Sequence, residues 1–265
     1  MTALAAIGPV SRDIVADAEP RPGGPVFYAA LTFARLGSDA RLAASCAEPD
    51  RAALLAPLEA LGLPLAWYES SATTAYRFHY EGDRRVMVQE AVGDPWSAEQ
   101  AVAAAGDARW VHVGGLVRTD FPPPTLAALA ADGRTLLVDA QGLVRTPALG
   151  PLKLDGDVGE ALAHVAVLKL DTEETQALVG SPEPERLRAL GVPEVLLTSG
   201  SRGSVVITPN FTQAVQAAKL DAEVDPTGAG DTFGAAYLHS RAQGAEPVEA
   251  ARAATDAVGS FLAER

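Results

Sequence analysis

Short apolar runs alternate with amphipathic, helix-like stretches along almost the whole chain, and this alternation restricts the fold more than any other feature of the sequence. The strand-like runs are 3–7, 41–45, 110–113, 135–139, 165–170, 194–198 and 204–208. Between and after them lie the helix-like stretches 26–36, 50–61, 98–105, 124–131, 172–179, 184–190, 232–241 and 248–263. A strand that is apolar on both faces needs cover on both, and helices that cross back between successive strands supply it. The expectation is therefore one α/β domain over residues 1–265, a three-layer α/β/α arrangement around a mostly parallel sheet. Ligands in such sheets bind at the carboxyl ends of the strands. A chain of 265 residues is long enough for one domain of this kind.

One segment departs from the pattern. Residues 74–80 alternate aromatic and polar side chains, Glu81-Gly82-Asp83-Arg84 has turn chemistry, and residues 85–89 return. Period and turn together predict an antiparallel hairpin, a small β lid at about 68–92. Set over the strand ends, it would exclude water during a transfer reaction.

The chemistry concentrates near the C-terminus, in Asp225-Pro226-Thr227-Gly228-Ala229-Gly230-Asp231-Thr232-Phe233. Gly228 and Gly230 let backbone amides approach an anion closely, and the apolar stretch that follows starts a helix. Unpaired amides and a helix N-terminus both favour a phosphate there. Asp231 gains nothing from a phosphate as a charge, and its position makes sense as a base for a hydroxyl that attacks a phosphoryl group. An ordinary N-capping turn is the plainer reading of the same residues.

The longer match decides between them. Asp-x-Thr-Gly-Ala-Gly-Asp-x-Phe resembles the C-terminal signature of the ribokinase/PfkB family of carbohydrate kinases, whose fold is the α/β arrangement expected above. The resemblance implies an anion hole from the amides of Gly228, Ala229 and Gly230, with Asp231 as catalytic base. Other segments follow the family order. Asp13, then Gly23-Gly24 opening a stretch that ends in Leu36-Gly37, resembles the acceptor-binding part, so Asp13, Gly23, Gly24 and Tyr28 are expected at the substrate. Tyr28 stands where many sugar kinases have Asn. Asp171-Thr172-Glu173-Glu174 resembles the Asn-x-x-Glu segment, which implies Mg²⁺ held through Glu174 and Asp171, largely by way of water. As plain sequence, the same residues are a helix N-cap with acids in the first turn. Thr198, Gly200 and Gly203 resemble a nucleotide-binding turn that implies ATP, and Asp225 and Thr227 resemble positions around a monovalent cation such as K⁺. Only nine residues separate Asp13 from Gly23, so the lid is expected to be the hairpin with little else, and either a monomer or a homodimer fits. The compact start and Gln141 after the central strand are most like the myo-inositol kinase branch, with Gln141 able to donate to and accept from a ring polyol.

Composition narrows the alternatives. A net charge of −13 leaves no basic surplus for a nucleic-acid partner. No apolar run is long enough for a bilayer, and the opening residues lead straight into Gly8-Pro9 as a core strand rather than a leader. The lone Cys46 excludes an internal disulfide, so a cytoplasmic protein is expected, in which the Asn210-Phe211-Thr212 sequon is idle. No Gly-x-Ser-x-Gly, His-Glu-x-x-His, Walker or Gly-x-Gly-x-x-Gly motif is present, and the four histidines lack metal-ligand spacing. The reading is a kinase acting on a hydroxyl of a sugar or cyclic polyol. Its rivals are a nucleoside kinase on the same scaffold and a catalytically silent polyol-binding regulator.

Overall fold

The computed structural model describes residues 4–15, 18–81, 84–218 and 224–264. The first half runs β1 (Leu4–Pro9), β2 (Ser11–Val15), β3 (Arg21–Gly23), α1 (Pro25–Arg35), β4 (Ala40–Cys46), α2 (Glu48–Glu59), β5 (Leu65–Glu69), β6 (Ala75–Glu81), β7 (Arg84–Ala91), α3 (Ala98–Ala105) and β8 (Trp110–Val113). It continues with α4 (Pro123–Ala130), β9 (Thr135–Asp139), α5 (Gln141–Val144), β10 (Gly150–Pro151), β11 (Val167–Leu170), α6 (Thr172–Val179) and α7 (Pro184–Arg188). The last part holds β12 (Glu194–Thr198), β13 (Ser204–Ile207), β14 (Thr212–Val215), α8 (Ala229–Ala242) and α9 (Pro247–Ala263).

The main sheet has the order β14-β13-β12-β11-β9-β8-β1-β4-β5. Its strands are parallel from β12 to β5, and only the β12–β13–β14 end is antiparallel. Successive residues of one strand serve opposite layers, as the two-residue period of a strand requires. Leu137 and Leu196 belong to an apolar cluster shared with α1, α2, α8 and α9, whereas Leu136 and Leu197 belong to a second one shared with α3, α4 and Leu187 of α7. Local chemistry starts the helices. Ser97 with Gln100 and Asp171 with Glu174 form capping boxes at α3 and α6, and Pro25 occupies the first turn of α1 behind Gly24.

The lid differs from expectation. Hairpin β6–β7 is there, but it forms the middle of a five-stranded sheet in the order β10-β7-β6-β2-β3. The short segment between Asp13 and Gly23 supplies two of those strands: β2 runs parallel to β6, and β3 antiparallel to β2. Strand β3 has three residues, one of them Pro22, too few for any periodicity to register. Residues 68 and 69, placed in the lid by sequence, close β5 at the edge of the main sheet. The turn residues Gly82 and Asp83, and Ala3 of the first strand-like run, lie outside the described residues. Among the described residues no helix is long and apolar enough to cross a membrane.

Candidate active site

The carboxyl ends of β9, β11 and β12, the start of α8 and the inner face of the lid sheet enclose a cleft of about 330 Å³. Most of the sequence-predicted site residues meet here. Asp13, Gly24, Tyr28, Gln141, Asp171, Glu174, Thr198, Gly200, Thr227, Gly228, Ala229, Gly230 and Asp231 all line it. Gly23, Gly203 and Asp225 do not.

The glycine-rich turn is built by its neighbours. Gly228 has φ +84°, and a Cβ there would collide with the ring of Tyr28. Tyr28 is almost fully buried and packs edge-on against Phe27 and Phe261, so beyond bordering the cleft it is a rigid support beneath the turn. A Cβ on Gly230 would lie 2.9 Å from Lys169 Nζ. The Ala229 amide donates to Pro226 O at 3.0 Å, so it closes the turn, while Gly230 and Asp231 lie in the first turn of α8, where amides have no partner within the helix. Asp231 lines the cleft from this turn.

Lys169 escaped the sequence reading. It is buried at the end of β11, and its ammonium donates to Asp139 Oδ2 at 2.7 Å. Burial alone would lower its pKa, but Asp139, Glu174 and Asp231 outweigh that and hold it above the ordinary value, so it is charged. The signal was a lone Lys in the otherwise apolar Val167-Leu168-Lys169-Leu170, where a charge needs a buried partner. A second buried cation, Arg145, lines the cleft 5.9 Å from the Tyr76 ring centroid.

Glu174 and Asp171 face each other across the capping box. Asp171 N donates to Glu174 Oε2 at 2.9 Å, and Glu174 N to Asp171 Oδ1 at 2.8 Å. Burial pushes the Glu174 carboxyl up to about 8, against the pull of Lys169. Among the described residues no group of three or more His, Cys, Asp or Glu could cage a metal. The one remaining oxygen on each side chain suits an ion that keeps most of its ligands as water and phosphate, as Mg²⁺ does, and the charge of such an ion would favour the ionised form of Glu174.

Three of the expected site residues stand outside the cleft lining, each held by its neighbours. A Cβ on Gly23 would strike the Asp13 carboxylate, so Gly23 makes room for Asp13, which also accepts from Ser11 Oγ at 2.7 Å. Gly203 has φ +92° and faces the backbone of Val215, so it serves the β13–β14 pairing; Gly200 reaches the cleft, and Thr198 borders it while donating to Leu170 O at 3.2 Å. Asp225 meets the Arg21 guanidinium at 3.1 Å and accepts from Thr227 N and Oγ1 at 2.9 and 2.5 Å. A carboxylate already paired with a guanidinium is a poor ligand for a monovalent metal ion. Ser11, Tyr76, Phe78, Met87 and Leu116 also line the cleft, and their ordinary residue types carried no signal in sequence.

Residues 5–265 match the model of the pfkB family carbohydrate kinases. The bifunctional protein HldE of Shewanella amazonensis is 27% identical over 253 residues, and that of Shewanella loihica 28% over 251. These alignments cover 91% and 90% of this chain, which spans about half (52%) of the length of each relative. Among solved structures, a pyrophosphate-dependent kinase of the ribokinase family, complexed with a pyrophosphate analogue and myo-inositol, superposes with a TM-score of 0.85 at 24% identity, covering 98% of this chain and 94% of its own. The ribokinase of Thermotoga maritima superposes at 0.75 and 17% identity, covering 99% and 93%. The nucleoside kinase of Burkholderia thailandensis, complexed with inosine, gives 0.79 and 19%, covering 98% and 90%. With its two-sheet α/β fold, its glycine turn at a helix start and a family match that spans nearly its whole length, the chain belongs to the pfkB family of carbohydrate kinases.

Proposed function

We propose that the chain is an ATP-dependent phosphotransferase acting on a hydroxyl of a sugar or cyclic polyol, with a myo-inositol-like ring as the favoured acceptor. The observation that carries this reading is the convergence of Asp231, the Gly228–Gly230 turn, buried Lys169 and the Asp13 carboxylate on one cleft. Asp13 and Gln141 offer the acceptor and donor groups that a polyol needs. Asp231 takes the proton of the attacking hydroxyl as its oxygen bonds to the γ-phosphorus. The bond to the β-phosphate oxygen breaks, and ADP leaves. The amides at the start of α8 and the ammonium of Lys169 face the charge that spreads over the transferring group. Bound Mg²⁺ supplies further positive charge to the phosphate oxygens, and Glu174 and Asp171 are the residues that would hold it. The buried free thiol of Cys46 fits a reducing, cytoplasmic setting.

A second reading changes only the donor. Gly203, expected beside the nucleotide, is committed to the β13–β14 backbone, while Lys169 and Arg145 offer two buried cations to a donor that is all phosphate. Inorganic pyrophosphate would use those cations without a nucleoside subsite, and the solved pyrophosphate-dependent relative adds support.

Turnover of ATP or pyrophosphate against myo-inositol, ribose, fructose, 2-keto-3-deoxygluconate and nucleosides, beside Asp231→Asn, tests both. One acceptor turned over, with at least a ~10³-fold loss in the variant and an unchanged melting temperature, is the expected result. Turnover that survives in Asp231→Asn would overturn the mechanism. Thermal stabilisation by a polyol without turnover of either donor would favour a binding protein instead.

A further inference from the structure

Arg21 lies on β3, at one edge of the lid sheet, directly opposite Asp13 in the register with β2. Its guanidinium reaches across 204 residues of chain to Asp225, Nη2 to Oδ2, at 3.1 Å. The other oxygen of Asp225 accepts both donors of Thr227, the residue that leads into Gly228–Asp231. Burial pushes the Asp225 carboxyl up, but the Thr227 bonds and Arg21 hold it below the usual carboxylate range, so it is ionised at neutral pH. The pair is about two-fifths exposed, with side-chain exposures of 41% and 38%, and a pair so placed adds little to global stability. Its significance is where it sits: one end is on the strand paired with the acceptor-side wall, the other at the root of the transfer turn.

We propose that Arg21 is a positioning residue, an in-chain cation that stands at Asp225 in place of a monovalent metal ion and couples the acceptor-side lid sheet to the Gly228–Asp231 turn. The inference rests on the kinase reading for its effect on turnover, but not for its effect on the turn. With the guanidinium in place, the turn is held without added K⁺. Without it, Asp225 loses the cation that β3 supplies, and the carboxylate that holds Thr227 is no longer tied to the lid sheet.

Hydrogen–deuterium exchange of the 224–231 amides, on the full chain in potassium, sodium and tetramethylammonium chloride, tests this without any substrate. Equal protection of the native chain in all three salts is expected. Arg21→Ala should exchange about ten-fold faster there and recover part of its protection in potassium chloride, while Arg21→Lys stays near native. With an acceptor in hand, Arg21→Ala should lower kcat about ten-fold, with acceptor KM within about two-fold and a melting temperature within about 2 °C of native. Native protection or turnover that depends on potassium would overturn the proposal, as would Arg21→Ala with native exchange. Because exchange needs no turnover, a chain that phosphorylates nothing would defeat the functional reading while the exchange result alone decides this one.

Discussion

At the level of single residues, the ring of Tyr28 lies so close to Gly228 that no side chain fits at that position of the turn. Tyr28 stood out as a departure from sugar kinases; its ring against Gly228 gives that departure a physical role as support for the turn. Lys169 and Arg145 were invisible because their partners, Asp139, Glu174 and Tyr76, lie on other elements. Asp120 is a similar case. It is buried, accepts from Leu116 N at 2.6 Å and Val117 N at 3.0 Å, and so shapes the loop from which Leu116 lines the cleft. Burial pushes its carboxyl up to about 6, more than those two bonds pull it down. A folded-state value raised above the unfolded one (about 4) means that stability is fully present below pH ~4 and is lost as pH rises through ~6, by on the order of 3 kcal/mol. Asp120→Asn should remove that fall: urea titrations from pH 4 to 7 should show a flatter profile than native, and an unchanged slope would refute the account.

Among the elements, those of the main sheet and its helices were legible because each is long enough for its period to register. β9, β12, α3 and α6 fall on their expected bounds, and α8 starts three residues earlier because Gly228 serves as its cap. β2, β3 and β10 were not legible, since each is held by pairing with a neighbour rather than by its own pattern. The β13–β14 hairpin illustrates the difference between a motif and its use. Gly200 and Gly203 look alike in sequence, yet among the described residues nothing lies within 4 Å of a Cβ on Gly200, while one on Gly203 meets the Val215 carbonyl. Both have positive φ, so Gly200→Ala should cost about 1 kcal/mol from backbone strain alone. Gly203→Ala should cost at least about 2 kcal/mol more, as the edge pairing must shift. Equal losses in chemical denaturation would show that the close approach of Gly203 to Val215 does not hold the β13–β14 pairing.

For the whole molecule, the main sheet divides the interior into two apolar layers, and adjacent residues of one strand belong to different layers. Leu136 and Leu137 are both fully buried, one on each side. Each Leu→Ala change should cost about 2–5 kcal/mol. Because the two residues are consecutive on one strand, the double variant should depart from the sum by about 0.5 kcal/mol or more in urea unfolding, and strict additivity would show that the strand does not transmit strain between the layers. What the sequence determined by itself is the layered fold and the glycine turn at the start of α8, since hydrophobic period, capping residues and glycine spacing are local properties of contiguous residues. Only the tertiary structure decided the extent of the lid, the buried Lys169–Asp139 pair and the reach of Arg21 to Asp225. Each of these depends on groups that are distant in the chain and adjacent only after folding, and a one-dimensional pattern carries no term for such proximity.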